Sequence, residues 1–231
     1  MKFNILPVIV IAVLVLCKPS HAAQSSYESS AELCHAQDGC RISDIATDAY
    51  YEHKYKSAYK LFKESCSSGD ARGCFGVGLM LDEGKGIDED PKLARSYFSM
   101  SCENGYYTGC FYLGASLRNA RGAKKDLDAS HLNFLKACED NQARACFNVA
   151  LNYYDGLGVV KNRQKALYYN DKSCEIGEPK ACYNSAYMYE SGEGGNVDLA
   201  RATELYQFSC DEGVQEGCEN LQQLADANAA E

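Results

Sequence analysis

Five cysteine pairs recur along the chain at one fixed interval: Cys66 with Cys74, Cys102 with Cys110, Cys138 with Cys146, Cys174 with Cys182 and Cys210 with Cys218, each displaced by 36 residues from the last. Self-similarity at a fixed period of roughly 20–50 residues predicts a stacked repeat protein. Within one helix, a rise of about 1.5 Å per residue would hold the two Cα atoms of a pair roughly 12 Å apart, beyond the ~7 Å a disulfide can span. The chain must therefore reverse between them. Three residues after each leading cysteine stands Gly69, Gly105, Asn141, Gly177 or Gly213, residue types that end helices in the left-handed conformation. Each pair reads as a staple from the end of one helix to the first turns of the next.

The amino terminus supplies a reason for such staples. Lys2 precedes an apolar run from Ile5 to Leu16, broken by Pro7 and followed by Ser20-His21-Ala22, the pattern of a secretory signal peptide with cleavage after Ala22. A lipid anchor at Cys17 competes with this reading, set against Leu16 standing where such signals want Gly, Ala or Ser. The run is short of the roughly 20 residues of a transmembrane helix, so no stable membrane insertion is expected after cleavage. Removing the leader takes away Cys17, the odd member of thirteen. An even set then remains, as full pairing in an oxidising compartment requires. The sixth pair is Cys34 with Cys40, with Asp38-Gly39 as its turn. Metal binding competes for these thiols, but a spacing of i to i+8 is not that of a C-x-x-C knuckle, and no metal or cofactor is expected. A secreted or periplasmic location follows.

Loss of Lys2 and Lys18 with the leader would take the net charge from −9 to −11. With no cluster of lysine or arginine, such a surface excludes nucleic acid as a partner and is repelled by anionic lipid.

Comparison of the copies adds positional detail. The second cysteine is followed by Phe75, Phe111, Phe147 or Tyr183, and three residues later by Gly78, Gly114, Ala150 or Ala186. An aromatic residue and a small one a helical turn apart suit a helix closely approached by a neighbour. Gly86, Gly122, Gly158 and Gly194 occupy one loop position. Asp90, Asp126, Asn162 and Asp198 are strong N-caps for a second helix. That helix carries Tyr97-Phe98, Phe134, Tyr169 and Leu205-Tyr206 on its apolar face. Each unit is thus helix, glycine-containing loop, helix.

The expected organisation is a signal peptide (1–22), a Ser-rich disordered linker (23–33), a degenerate first repeat (34–69), four repeats (70–105, 106–141, 142–177, 178–213) and a C-terminal capping helix (214–231). In that last helix Glu219, Gln222, Gln223 and Asp226 give the polar outer face a terminal repeat needs.

The pattern Cys-Glu-x-Gly followed by Cys-Phe/Tyr, with segments such as Cys174-Glu175-Ile176-Gly177 and Asp155-Gly156-Leu157-Gly158, resembles the Sel-like repeat family, relatives of tetratricopeptide repeats. The cysteines make it similar to that family's secreted branch, the Helicobacter cysteine-rich proteins. The resemblance covers about residues 34–231. It implies an all-α, right-handed α-solenoid of disulfide-stapled helix-turn-helix repeats, with the first helix of each unit lining a concave face. It also implies two functions: a scaffold that binds peptides or proteins, and the β-lactamase or penicillin-binding label of some cysteine-rich members.

The residues weigh these differently. Ser57-Ala58-Tyr59-Lys60 matches the S-x-x-K motif of serine β-lactamases. No S-D-N or K-T-G follows it, and so short a motif arises by chance. No catalytic residue is assigned. His35, His53 and His131 fall at unrelated repeat positions and read as solvated surface histidines. Gly84-Lys85-Gly86 and Gly192-Glu193-Gly194-Gly195 match the repeat's loop position and lack the strand-loop-helix context of a phosphate loop.

The binding reading rests on a stripe of the first helices: Gly76, Tyr112, Asn148, Asn184; then Met80, Ser116, Asn152, Met188; then Glu83, Asn119, Asp155, Ser191. Helical spacing sets these apart from the packed aromatic and small-residue face. Asparagine both donates to and accepts from a peptide backbone, and methionine adapts to irregular apolar partners. Tyr112, Asn148, Asn152, Asn184 and Met188 are the candidate contacts, against the plainer reading of a solvated polar face. The partner is a peptide or protein and the chain a monomer. An immunity or envelope-assembly role in the periplasm is the alternative use of the same surface.

Overall fold

The computed structural model describes residues 41–122 and 124–229. The signal peptide, the linker and His35 lie outside the described residues. So do Cys34 and Cys40, and their expected pairing with them. Among the described residues the chain forms eleven α-helices and no strand: α1 (Ile42–Tyr51), α2 (Tyr55–Ser67), α3 (Ala71–Glu83), α4 (Pro91–Glu103), α5 (Tyr107–Arg118), α6 (Leu127–Glu139), α7 (Ala143–Asp155), α8 (Arg163–Glu175), α9 (Pro179–Ser191), α10 (Leu199–Asp211) and α11 (Gln215–Ala229). Consecutive helices pack on one another along the whole series, which makes the molecule an all-α solenoid of helical repeats. No helix among the described residues is long and apolar enough to cross a membrane.

Local chemistry explains the helix boundaries. The carboxylate or amide of Asp90, Asp126, Asn162 and Asp198 accepts a hydrogen bond from the backbone N–H three residues on, at Leu93, Ala129, Lys165 and Arg201. These N-caps fix the start of α4, α6, α8 and α10. At the other end, helices α2, α4, α6, α8 and α10 lead into a left-handed residue before the next helix, with φ of +59° at Asn141 and +102° at Gly177.

The reversal brings the two cysteines of each pair to Cα separations of 4.5–4.7 Å, and five disulfides close across the seams between successive units. Cys66 of α2 joins Cys74 of α3, and Cys102 of α4 joins Cys110 of α5. Cys138 of α6 joins Cys146 of α7, Cys174 of α8 joins Cys182 of α9, and Cys210 of α10 joins Cys218 of α11. Cys74, Cys110, Cys146 and Cys182, in the first turns of the receiving helices, are fully buried.

The glycine-containing loop forms a second inter-unit contact. Gly158, between α7 and α8, has φ +69°, and a Cβ there would run into the Leu127 carbonyl at the start of α6. Gly86, Gly122 and Gly194 meet the starts of α2, α4 and α8 in the same way. Each loop therefore rests its backbone on the first turn of the preceding unit's second helix, where no side chain fits.

The core is a column of rings. Phe62, Phe98, Phe134 and Tyr206 occupy one repeat position on the second helices and are all buried. Gly78 and Gly114 admit the rings: a Cβ would lie 2.8 Å from the Phe98 ring and 3.1 Å from the Phe134 ring. Buried serines pin the two helices of a unit together, Ser101 donating to the Ala71 carbonyl at 2.8 Å and Ser173 to that of Ala143 at 2.7 Å.

Candidate functional site

The candidate stripe does not form one surface. Met80, Ser116, Asn152 and Met188, the second position of the stripe in successive units, are buried. The expected separation from the packing face therefore fails there. Helices α3, α5, α7 and α9 lie close enough to their neighbours that these side chains face into the stack. Tyr112 is likewise half-buried. Its ring meets Phe75 at 5.1 Å and Phe98 at 5.3 Å, and burial raises the phenol's pKa.

Asn148 and Asn152, one turn apart on α7, are brought together by a residue the sequence did not single out. Arg118, the last of α5, donates from Nη1 to Asn148 Oδ1 and from Nη2 to Asn152 Oδ1, each at 2.6 Å. The guanidinium lies 4.6 Å from the centroid of the Phe134 ring. Burial lowers its pKa, because its partners are neutral amides, which do not compensate for lost hydration as a carboxylate would. Asn152 Nδ2 lies 3.2 Å from His131 Nδ1. With Asn152 as donor, His131 is neutral and carries its proton on Nε2.

His131 is 5% exposed, which corrects its reading as a surface histidine. The ring stands edge-to-face against Tyr153 at 5.0 Å, and the repeat position it holds is taken by the buried Leu167 one unit later. Its pKa is lowered by burial first and then by the nearby charges of Lys165 and Arg118. His53 is exposed, in the short α1–α2 turn, with Nδ1 2.7 Å from the Tyr55 hydroxyl.

Asn184 and Met188 belong to a different feature. An open hollow of about 290 Å³ lies between α7 and α9, walled by Leu151, Tyr154 and Asp155 on one side and Tyr183, Asn184 and Tyr187 on the other. Its floor is Asn170 of α8 beside Met188. Asn170 stands where the other second helices carry Phe62, Phe98, Phe134 and Tyr206, a small amide in place of a ring. It is 2% exposed. Its Nδ2 donates to Met188 Sδ at 3.6 Å, whereas Oδ1 is covered and receives no hydrogen bond among the described residues. Arg163 lies 3.4 Å over the Tyr154 ring, donates to the Tyr154 carbonyl at 2.5 Å and pairs with Glu193 at 3.2 Å.

Ser57 is half-buried and Lys60 exposed on α2, on a helix that takes no part in this hollow. Among the described residues no group of three or more His, Cys, Asp or Glu side chains could hold a metal ion.

Four segments of the chain, residues 71–106, 108–142, 143–178 and 179–214, match the Sel1 repeat. Among solved structures, a Sel1 repeat protein from Oxalobacter formigenes is 23% identical, with 78% of this chain and 72% of that one covered and a TM-score of 0.73. A protective antigen of uropathogenic Escherichia coli displaying an SLR fold is 24% identical, with 80% of this chain and 40% of that one covered and a TM-score of 0.76. The Helicobacter pylori cysteine rich protein B is 28% identical over 62% of this chain and 97% of its own, with a TM-score of 0.43. No curated protein matches the chain.

Proposed function

The chain belongs to the Sel1 repeat family, and from that premise we propose that it is an exported scaffold that binds a peptide or protein partner along a concave face lined by α3, α5, α7 and α9. Sel1 repeats are typically protein-interaction modules. Five disulfides indicate an oxidising, extracytoplasmic environment. In this reading a leader exports the chain, and the mature monomer works in the periplasm or outside the cell, without a cofactor.

The observation that carries the reading is the hollow between α7 and α9. It sets tyrosines and the amide of Asn184 between the first helices of consecutive units, where an extended segment would cross them. Tyrosines supply contact area at little entropic cost, and a side-chain amide pairs with both backbone groups of a peptide. Of the candidate contacts, Asn184 and Met188 border this hollow, and Asn148 keeps its Nδ2 on the Arg144 carbonyl at 2.7 Å.

The test takes a partner captured from periplasm or culture medium and measures its affinity by calorimetry. Asn184→Ala should weaken binding by about 1–3 kcal/mol, the effect of leaving a buried backbone group unpaired. Glu175→Ala, at an exposed site on a second helix, should leave affinity unchanged. The opposite ranking would move the partner to the other face.

A further inference from the structure

We infer that the hollow over Asn170 receives an arginine side chain of the partner segment. The inference rests on the concave-face reading and gives it a chemistry.

Size is the first argument. Pockets for whole small ligands run from roughly 300 to 1,000 Å³. A hollow of about 290 Å³ stands at the bottom of that range, and being open between two helices it has room for one long side chain of a bound segment.

The donor and acceptor pattern is the second. Asn170 Oδ1 is a buried acceptor with no donor among the described residues, in a stack whose equivalent positions are rings. The amide's orientation follows from its N–H reaching Met188 Sδ, which turns the oxygen away from the sulfur. Only a weak contact to a thioether holds the amide this way round, so rotation about its terminal torsion can turn the oxygen toward an entering N–H donor. Asp155, exposed at the rim, adds a carboxylate with no hydrogen bond or ion pair within the described residues. Tyr183 and Tyr187 add aromatic surface. Acceptor below, carboxylate at the mouth and rings on the wall form a complementary set for a planar cation with several N–H donors.

The charge environment agrees. Arg163, stacked on Tyr154 of the wall, is paired with Glu193, so its charge is offset by a carboxylate. The chain carries a net charge of −9, which favours encounter with a basic segment.

The test uses the oxidised protein and fluorescent pools of short, otherwise neutral peptides with one central position fixed as arginine, citrulline, lysine or glutamate. Citrulline keeps the shape of arginine and removes the charge. The arginine pool should bind about tenfold more tightly than the citrulline pool. Asp155→Asn and Asn170→Phe should each abolish that preference. The second variant restores the ring that other units carry, so its melting temperature should match or exceed that of the parent. Equal binding of the arginine and citrulline pools would overturn this inference and leave the concave-face reading standing. An arginine preference that survives both variants would assign it to the acidic surface at large and also overturn the inference. Tighter binding of the lysine pool would replace arginine with a point charge. Binding of no pool would remove the inference together with the reading beneath it.

Discussion

Arg118 Nη2 and Asn152 Oδ1 share a 2.6 Å hydrogen bond that links the last residue of α5 to the middle of α7. It joins two successive units through a cation whose other branch is held by Asn148. Asn152→Leu keeps the volume and removes the acceptor, leaving part of a half-buried guanidinium unpaired. We expect a stability loss of about 1–3 kcal/mol in urea denaturation, with Asn184→Ala close to the parent. An unchanged midpoint for Asn152→Leu would show that Arg118 finds water as easily as it finds the amide.

His131 makes stability depend on pH. Its folded pKa lies below the ordinary 6.5, so the unfolded chain takes up a proton at a higher pH than the folded one does. The contribution is complete above about pH 6.5 and is lost as the pH falls from there through the depressed folded value. His131→Leu, which adopts the residue of the next unit, should flatten that part of the curve. Denaturation midpoints for both proteins at pH 7.5 and 5.5 give the comparison. A parent protein equally stable at both would contradict the burial argument.

The two kinds of left-handed glycine should respond differently to a methyl group. At Gly177, with φ +102° and open space around the would-be Cβ, alanine costs only backbone strain, about 1–2 kcal/mol. At Gly158 the same change adds a collision with the Leu127 carbonyl. Gly158→Ala should therefore lower the melting temperature distinctly more than Gly177→Ala. A reversed order would mean that the α7–α8 loop lifts away from α6 at little cost.

Replacing both Cys138 and Cys146 by alanine opens one seam without leaving a free thiol. The chain-entropy model assigns so short a loop about 2–3 kcal/mol. The loss should fall mainly on the helices beside that seam, read by hydrogen exchange in α6 and α7. Uniform deprotection of all helices would show a single cooperative unit instead of neighbour-coupled repeats.

Much of this architecture is legible because a repeat displays its own comparisons. The cysteine period, the caps at Asp90, Asp126, Asn162 and Asp198, and the reversal at Gly69 and its equivalents all follow from local chemistry that is the same in every copy. The binding stripe was less legible. A helical period orders the faces of one helix, but the distance to the neighbouring unit decides whether Asn152 or Met188 meets water. Arg118 shares its repeat position with Asp82, Tyr154 and Glu190, so no pattern pointed to it. Asn170 did leave a mark: a lone amide where every other second helix has a ring. That departure, read as an exception to the period, marks the floor of the hollow.

The staples also govern how the molecule yields to a pull on its ends. Every disulfide from Cys66 with Cys74 to Cys210 with Cys218 spans a seam between units, so tension reaching a joint meets a covalent bond before it can part the two helices. Only the segment between one staple and the next can be drawn out, and the extension released by each yielding unit is capped below the contour length of its 36-residue period. Stretched under oxidising conditions, the protein should behave as a chain of short tethers, and added reductant should lengthen each step.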